Sequence, residues 1–217
     1  MQNLCFFISS AINLDDSNHL SFSYSKQRSA FNAEERFRQT QFTINTIRLI
    51  APEAQIFLLD ISENFDTYLK RLHYVKNFVF IPLQAIAPEI AHKCRTSSAK
   101  GYCESLSTQW FIENFYDAIK NYSYLCKISG RYFYTKFNFD HFTQENQDRY
   151  LIKPAHNFVW LDRWQFPEKL KIDNRLRWAF TCTYAVGNNK FQHWKDNMHR
   201  VSSFYLESDK HFIVDYE

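Results

Sequence analysis

Two apolar runs, residues 4–12 (LCFFISSAI) and residues 55–61 (QIFLLDI), flank a segment whose apolar residues recur at helical spacing. Short continuous apolar runs of this kind suit strands covered on both faces. Strand, helix, strand in that order is the unit from which parallel sheets are built, so the chain is directed towards an α/β fold before anything else is considered. The intervening helix is expected over residues 33–50. Asn32 offers an N-cap, Glu35 three residues later completes a capping box, and Glu34 and Glu35 both complement the helix dipole. Phe37, Ile44, Ile47 and Ala51 fall near one face, and Pro52 ends the pattern.

The alternation continues. A helix is expected over residues 62–75, a third strand over 78–82 (FVFIP), a less regular stretch between Pro82 and Pro88, and a polar loop over 93–100 (KCRTSSAK). Ser107, Phe111, Phe115, Ala118 and Ile119 then follow helical spacing within residues 104–121. Residues 124–128 (YLCKI) read as a strand running into Ser129 and Gly130. Beyond this point the pattern weakens, with strands expected at 150–152, 158–161 and 178–184 and a helix between 190 and 205. The expected architecture is an α/β, mixed, mostly parallel sheet flanked by helices. No internal repeat and no Gly- or Ser-rich linker divides the 217 residues, which favours one domain over 1–217.

Composition narrows the function classes. A net charge of +3, with Lys and Arg spread along the chain, lacks the basic patch of a nucleic-acid binder, so nucleic acid is not an expected partner. Five cysteines in odd number, without CxxC spacing, suggest neither a disulfide framework nor a zinc site and fit a reducing cytoplasm. The first residues lack the charged start of a signal peptide, and no stretch approaches the apolar run of about 20 residues that a membrane span needs. A cytoplasmic protein is therefore expected, with peripheral membrane association open to it. The eight histidines show no HxH or HExxH spacing. The three glycines form no GxSxG elbow, no GxGxxG turn and no phosphate-binding P-loop, which argues against hydrolases, dehydrogenases and kinases built on those turns.

The stretch best suited to chemistry is KISGRY, residues 127–132. Here a buried strand ends at Ser129 and Gly130 between two cations, Lys127 and Arg131, where ligands of open α/β sheets bind. Gly130 allows close backbone approach or an unusual φ, and the cations could neutralise a diphosphate. A plain glycine turn with solvated cations fits the same residues. Lys100 and Gly101 open the KGYCE stretch that carries Glu104, and a glycine at a helix start can leave amides open to an anion, although an ordinary helix start fits the same residues. Arg28 and Arg36 lie where the first loop enters the first helix, although an arginine at a position like that of Arg36 is more often a surface helix charge. Asp60 closes the second strand, either towards a ribose or as a cap. Ser9 ends the first strand. Asp162, between Trp160 and Trp164 in VWLDRW, and Asp215 near the C-terminus are candidate carboxylates for acid–base work. A strand ending in a turn with core tryptophans accounts for Asp162 more simply.

The succession of the ISS strand, the SAFNAEERFRQTQFTINTIR helix, the FLLDIS strand, the KGYCESLSTQWF helix and the KISGRYFYTKF strand resembles a group of small bacterial sugar transferases. These serve lipopolysaccharide or capsule assembly and have a GT-A-like nucleotide-binding core. The likeness covers residues 4–137 and rests on the KGxxE and KxSGRY stretches and the ExR helix start. It implies transfer of a sugar from a nucleotide sugar to a glycan or lipid-linked acceptor, with residues 1–137 as the nucleotide-binding core and 138–217 on the acceptor side. Ser9, Arg28, Arg36, Asp60, Lys100, Lys127, Ser129, Gly130 and Arg131 would then line the donor, and Glu104, Asp162 and Asp215 would supply carboxylates. Many such enzymes hold a divalent metal through Asp-x-Asp. That motif is absent from this sequence, so no metal or other cofactor is expected, and Lys127 and Arg131 would balance the diphosphate charge in its place.

Overall fold

In strand β1, Leu4–Ser10, successive side chains part to opposite sides: Cys5 and Phe7 enter one core, Leu4, Phe6 and Ile8 the other. The same alternation runs through β2, Gln55–Asp60, and β4, Tyr124–Ser129, which explains why both are apolar on two faces, with Lys127 the one charge inside β4. The computed structural model describes residues 3–14, 31–72, 74–97, 100–134, 137–154 and 179–207. It contains one six-stranded sheet in the order β3-β2-β1-β4-β6-β5, where β3 is Phe78–Pro82, β5 is Tyr150–Pro154 and β6 is Ala179–Gly187. Strands β1 to β4 are mutually parallel, whereas β6 runs antiparallel to β4 and to β5. The fold is therefore α/β with a mixed, mostly parallel open sheet, and residues beyond 138 complete the same sheet that the first half begins.

Helices cover both faces. Helix α1, Ala33–Ile50, and α2, Asp66–Leu72, pack Phe37, Ile44, Ile47, Tyr68 and Leu72 on one face as the chain moves from β1 through β2 to β3. The expected capping box is present, with Glu35 N–H donating to Asn32 Oδ1 and Asn32 N–H to Glu35 Oε2, both at 2.9 Å. Helices α3 (Leu83–Ile86), α4 (Pro88–Thr96) and α5 (Lys100–Ile119) return the chain across the other face to β4. Helix α6, Phe191–Glu207, adds Phe191 and Trp194 to that second core. Much of the aromatic content is spent here: Phe7 stacks on Phe111 at 4.1 Å, and Phe111 on Phe115 at 5.3 Å.

Several boundaries differ from expectation. The segment after Pro82 is helical, because Pro88 occupies the first turn of α4, where its missing N–H costs nothing. The polar stretch KCRTSSAK closes α4 and opens α5, so α5 starts a turn before Glu104 and that residue lies inside the helix. Helix α2 is confined to seven residues. The KISGRY strand stops at Ser129, and residues 130–134 continue without sheet pairing. The strand expected at 158–161 lies outside the described residues.

Candidate functional site

The order of the sheet marks one place for a ligand. From β1 the chain winds outward over the α1 face to β2 and β3, then returns over the opposite face to β4 on the other side of β1. The crevice between the carboxyl ends of β1 and β4 is thus the topological switch point, where open α/β sheets bind ligands. Ser9 and Ser129 are register partners at its mouth, and Lys127 stands beside Phe7 one step below Ser129 on the same face.

Glu104, one turn into α5, reaches down onto these strands and gathers them around its Oε1. That oxygen accepts from Ser129 Oγ at 2.9 Å, from Ser9 Oγ at 3.3 Å and from Lys127 Nζ. Lys127 also donates to Ser129 Oγ at 3.1 Å, and its ammonium stands 5.7 Å from the centre of the Tyr184 ring. Lys127 is buried, with its side chain 1% exposed, whereas 34% of the Glu104 side chain remains accessible. A buried ammonium is tolerable only with a compensating charge, which Glu104 provides. Burial by itself would raise the Glu104 pKa. The neighbouring Lys127 charge and the hydrogen bonds from Lys127, Ser129 and Ser9 outweigh that and hold it below the usual carboxylate value. Burial, reinforced by the Glu104 charge, pushes the Tyr184 phenol above its ordinary range.

The opposite face of the crevice is built by α1. Thr40 Oγ1 donates to the carbonyl of Gly130 at 3.1 Å, and Thr43 Oγ1 to that of Tyr132 at 2.6 Å. Together they pin the chain that leaves β4. Gly130 has no unusual φ; it allows close packing, since an added Cβ would stand 3.1 Å from Thr40 Oγ1 and 3.3 Å from Ser10, and those side chains would have to give. Arg36 is buried on this helix instead of solvated, and Arg131 lies half-buried just past Gly130.

The expected residues therefore divide. Ser9, Glu104, Lys127 and Ser129 come together on the α5 face, and Arg36, Gly130 and Arg131 lie at the same sheet end towards α1. Two readings need correction. Lys127 is spent on Glu104 within the protein and does not present an uncompensated cation. Asp60 is completely buried, its Oδ2 accepting from Ile12 N–H and its Oδ1 from Ser62 N–H, both at 2.9 Å, so it clamps the two loops instead of facing a ribose. Lys100 opens α5, and only its backbone is described. Arg28, Asp162 and Asp215 lie outside the described residues. Thr40, Thr43 and Tyr184 escaped the sequence reading. The Thr40, Thr43, Thr46 ridge at three-residue spacing was the available signal, a polar stripe on a helix whose flanking face is apolar.

Fold and cluster together define the class: an α/β protein with a mixed, mostly parallel sheet and a polar, ion-paired crevice at its switch point. No protein-family model matches the chain, and no curated protein matches its sequence. Among the described residues, no helix is long and apolar enough to cross a membrane, and no group of three or more His, Cys, Asp or Glu side chains is gathered to hold a metal ion.

Proposed function

We propose that this chain is a GT-A-like glycosyltransferase that moves a sugar from a nucleotide-sugar donor to a glycan or lipid-linked acceptor in cell-surface polysaccharide synthesis. The observation that carries the reading is the Ser9, Glu104, Lys127 and Ser129 cluster at the β1/β4 switch point, where a mononucleotide would lie. Breaking a sugar–phosphate bond requires stabilisation of the departing diphosphate. Arg131, beyond the tip of β4, is the cation assigned that task, with Arg28 and Arg36 bordering the nucleotide. Lys127 takes the different part of holding Glu104 in place. An acceptor hydroxyl needs a base in an inverting transfer, and Glu104, Asp162 and Asp215 are the carboxylates proposed for positioning or deprotonation. Activity is proposed to need no divalent metal, because the sequence lacks Asp-x-Asp, and the enzyme to work in the cytoplasm or at the inner face of the membrane.

A thermal-shift panel of UDP, GDP, CMP and CDP sugars tests the first step, since a ligand that binds the native state raises apparent stability. One nucleotide should stand out, and a flat panel would remove the proposal. Arg131→Ala should lower transfer by roughly a hundredfold or more while leaving the unfolding midpoint in place. Full activity in excess EDTA is expected; activity lost to chelation and restored by Mg²⁺ or Mn²⁺ would reverse the metal assignment. The internal balance of Lys127 by Glu104 also favours a second reading, a non-catalytic sugar- or nucleotide-binding protein. Binding without hydrolysis or transfer would establish that one instead.

A further inference from the structure

The Glu104 cluster spends its hydrogens inward. Ser9 and Ser129 both donate to Glu104 Oε1, and Lys127 donates to Glu104 and to Ser129. One carboxylate and one ammonium cancel, so the cluster offers no net positive charge. What it presents outward is acceptor capacity: all three hydrogen bonds fall on Oε1, and Oε2 belongs to a side chain that is still 34% accessible. A carboxylate is acceptor-only. A phosphate oxygen placed there would meet lone pairs and a like charge, whereas a sugar hydroxyl would bring the hydrogen that Oε2 lacks.

From this geometry we infer that the β1/β4 crevice recognises a hydroxyl pair of the ligand through Glu104 Oε2, and that the diphosphate lies outside this cluster. The inference rests on the nucleotide-sugar reading of the site and names the part of the ligand that this cluster holds. Lys127 and the two serines are positioning residues, which fix Oε1 so that Oε2 faces the crevice. The hydroxyls have two possible sources, the ribose of the nucleotide or a hexose.

Isothermal titration of the whole chain with UDP, GDP and CDP against their 2′-deoxy forms, and with free glucose, galactose and N-acetylglucosamine, separates the sources. A hydrogen bond to a charged group is worth about ten- to a hundredfold in affinity. A loss of that size on 2′-deoxygenation assigns the ribose; equal nucleotide binding with a hexose that depends on Glu104 assigns the sugar. Because Glu104→Gln alone strands a buried ammonium, the paired variant Glu104→Gln/Lys127→Met serves as the folded control, and it should abolish the hydroxyl dependence. Inorganic pyrophosphate should bind wild type and paired variant alike. If ligands that bind the wild type bind the paired variant unchanged, or if pyrophosphate affinity collapses in it, the hydroxyl assignment is overturned while nucleotide binding stands. If only a free hexose binds, and through Glu104, the nucleotide reading fails and the hydroxyl assignment survives. If nothing binds, both fall.

Discussion

Lys127 occupies the middle of an apolar strand, and its buried charge makes it the residue with most to lose. Glu104→Ala removes the carboxylate that pairs with it. The expected cost is about 2–3 kcal/mol, below that of breaking a wholly buried pair because a third of Glu104 already reaches water. Replacing both partners, as Glu104→Gln/Lys127→Met, should recover most of that loss, and urea unfolding of the three proteins provides the comparison. Asp60 carries a different load, two buried backbone amides from loops 48 and two residues away. Asp60→Ala leaves both unsatisfied and is expected to lower stability by about 2–4 kcal/mol, read from the same denaturation curves. The acidic partners of these contacts were visible in the sequence only as isolated charges. Nothing local distinguishes a strand-end aspartate that faces a ligand from one that ties two loops together.

Among the elements, α1 is held by Arg71 at its first turn and by the loop after β4 at Thr40, and the two can be tested apart. Glu34 in its first turn accepts from both terminal nitrogens of Arg71 on α2, at 2.6 and 2.9 Å, and that guanidinium lies 3.9 Å from the centre of the Phe37 ring. The hydrogen bond from Arg71 is the main cause lowering the Glu34 carboxyl from 4.5 to about 2. Its pKa is depressed in the folded state, so the stabilisation is complete above about pH 4.5 and is lost as the pH falls through about 2. Stability measured across that window should fall more steeply in wild type than in Glu34→Gln, and added salt should shrink the difference because the pair is exposed. Against the sheet, Gly130→Ala would press a methyl to 3.1 Å from Thr40 Oγ1, a contact the threonine can partly relieve, at about 1 kcal/mol. Gly187→Ala at the end of β6 is harsher. Its Cβ would stand 2.2 Å from the carbonyl oxygen of Gln147, which is backbone, so a loss of about 3 kcal/mol or a failure to fold is expected. Differential scanning calorimetry should rank the two in that order. Helix α1 itself was plain in the sequence, from Asn32 through the capping box to Ile50. The α3 and α4 pair was not, because two prolines 6 residues apart read as breakers until Pro88 is seen at a first turn.

For the molecule as a whole, the sheet explains why so many separate segments meet at one crevice. β1 lies between β2 and β4, paired on both sides and covered on both faces, so its amides from Phe6 to Ile8 should exchange with deuterium most slowly, while those of the edge strands β3 and β5 exchange sooner. Hydrogen–deuterium exchange read by mass spectrometry would expose any error in this order. The same arrangement brings Ser9, Glu104 and Ser129 to one oxygen atom, although Ser9 and Glu104 stand 95 residues apart in the chain. Apolar runs, helical spacing and the capping box are properties of neighbouring residues, and they were enough to announce alternating strands and helices, a mostly parallel sheet and the strand tips at which a ligand would be sought. Whether Lys127 would turn outward as a cation or inward as half of an ion pair was another matter. That depended on α5 crossing the sheet with Glu104 directly above β4, and such a contact between distant segments leaves no local periodicity by which it could be foreseen.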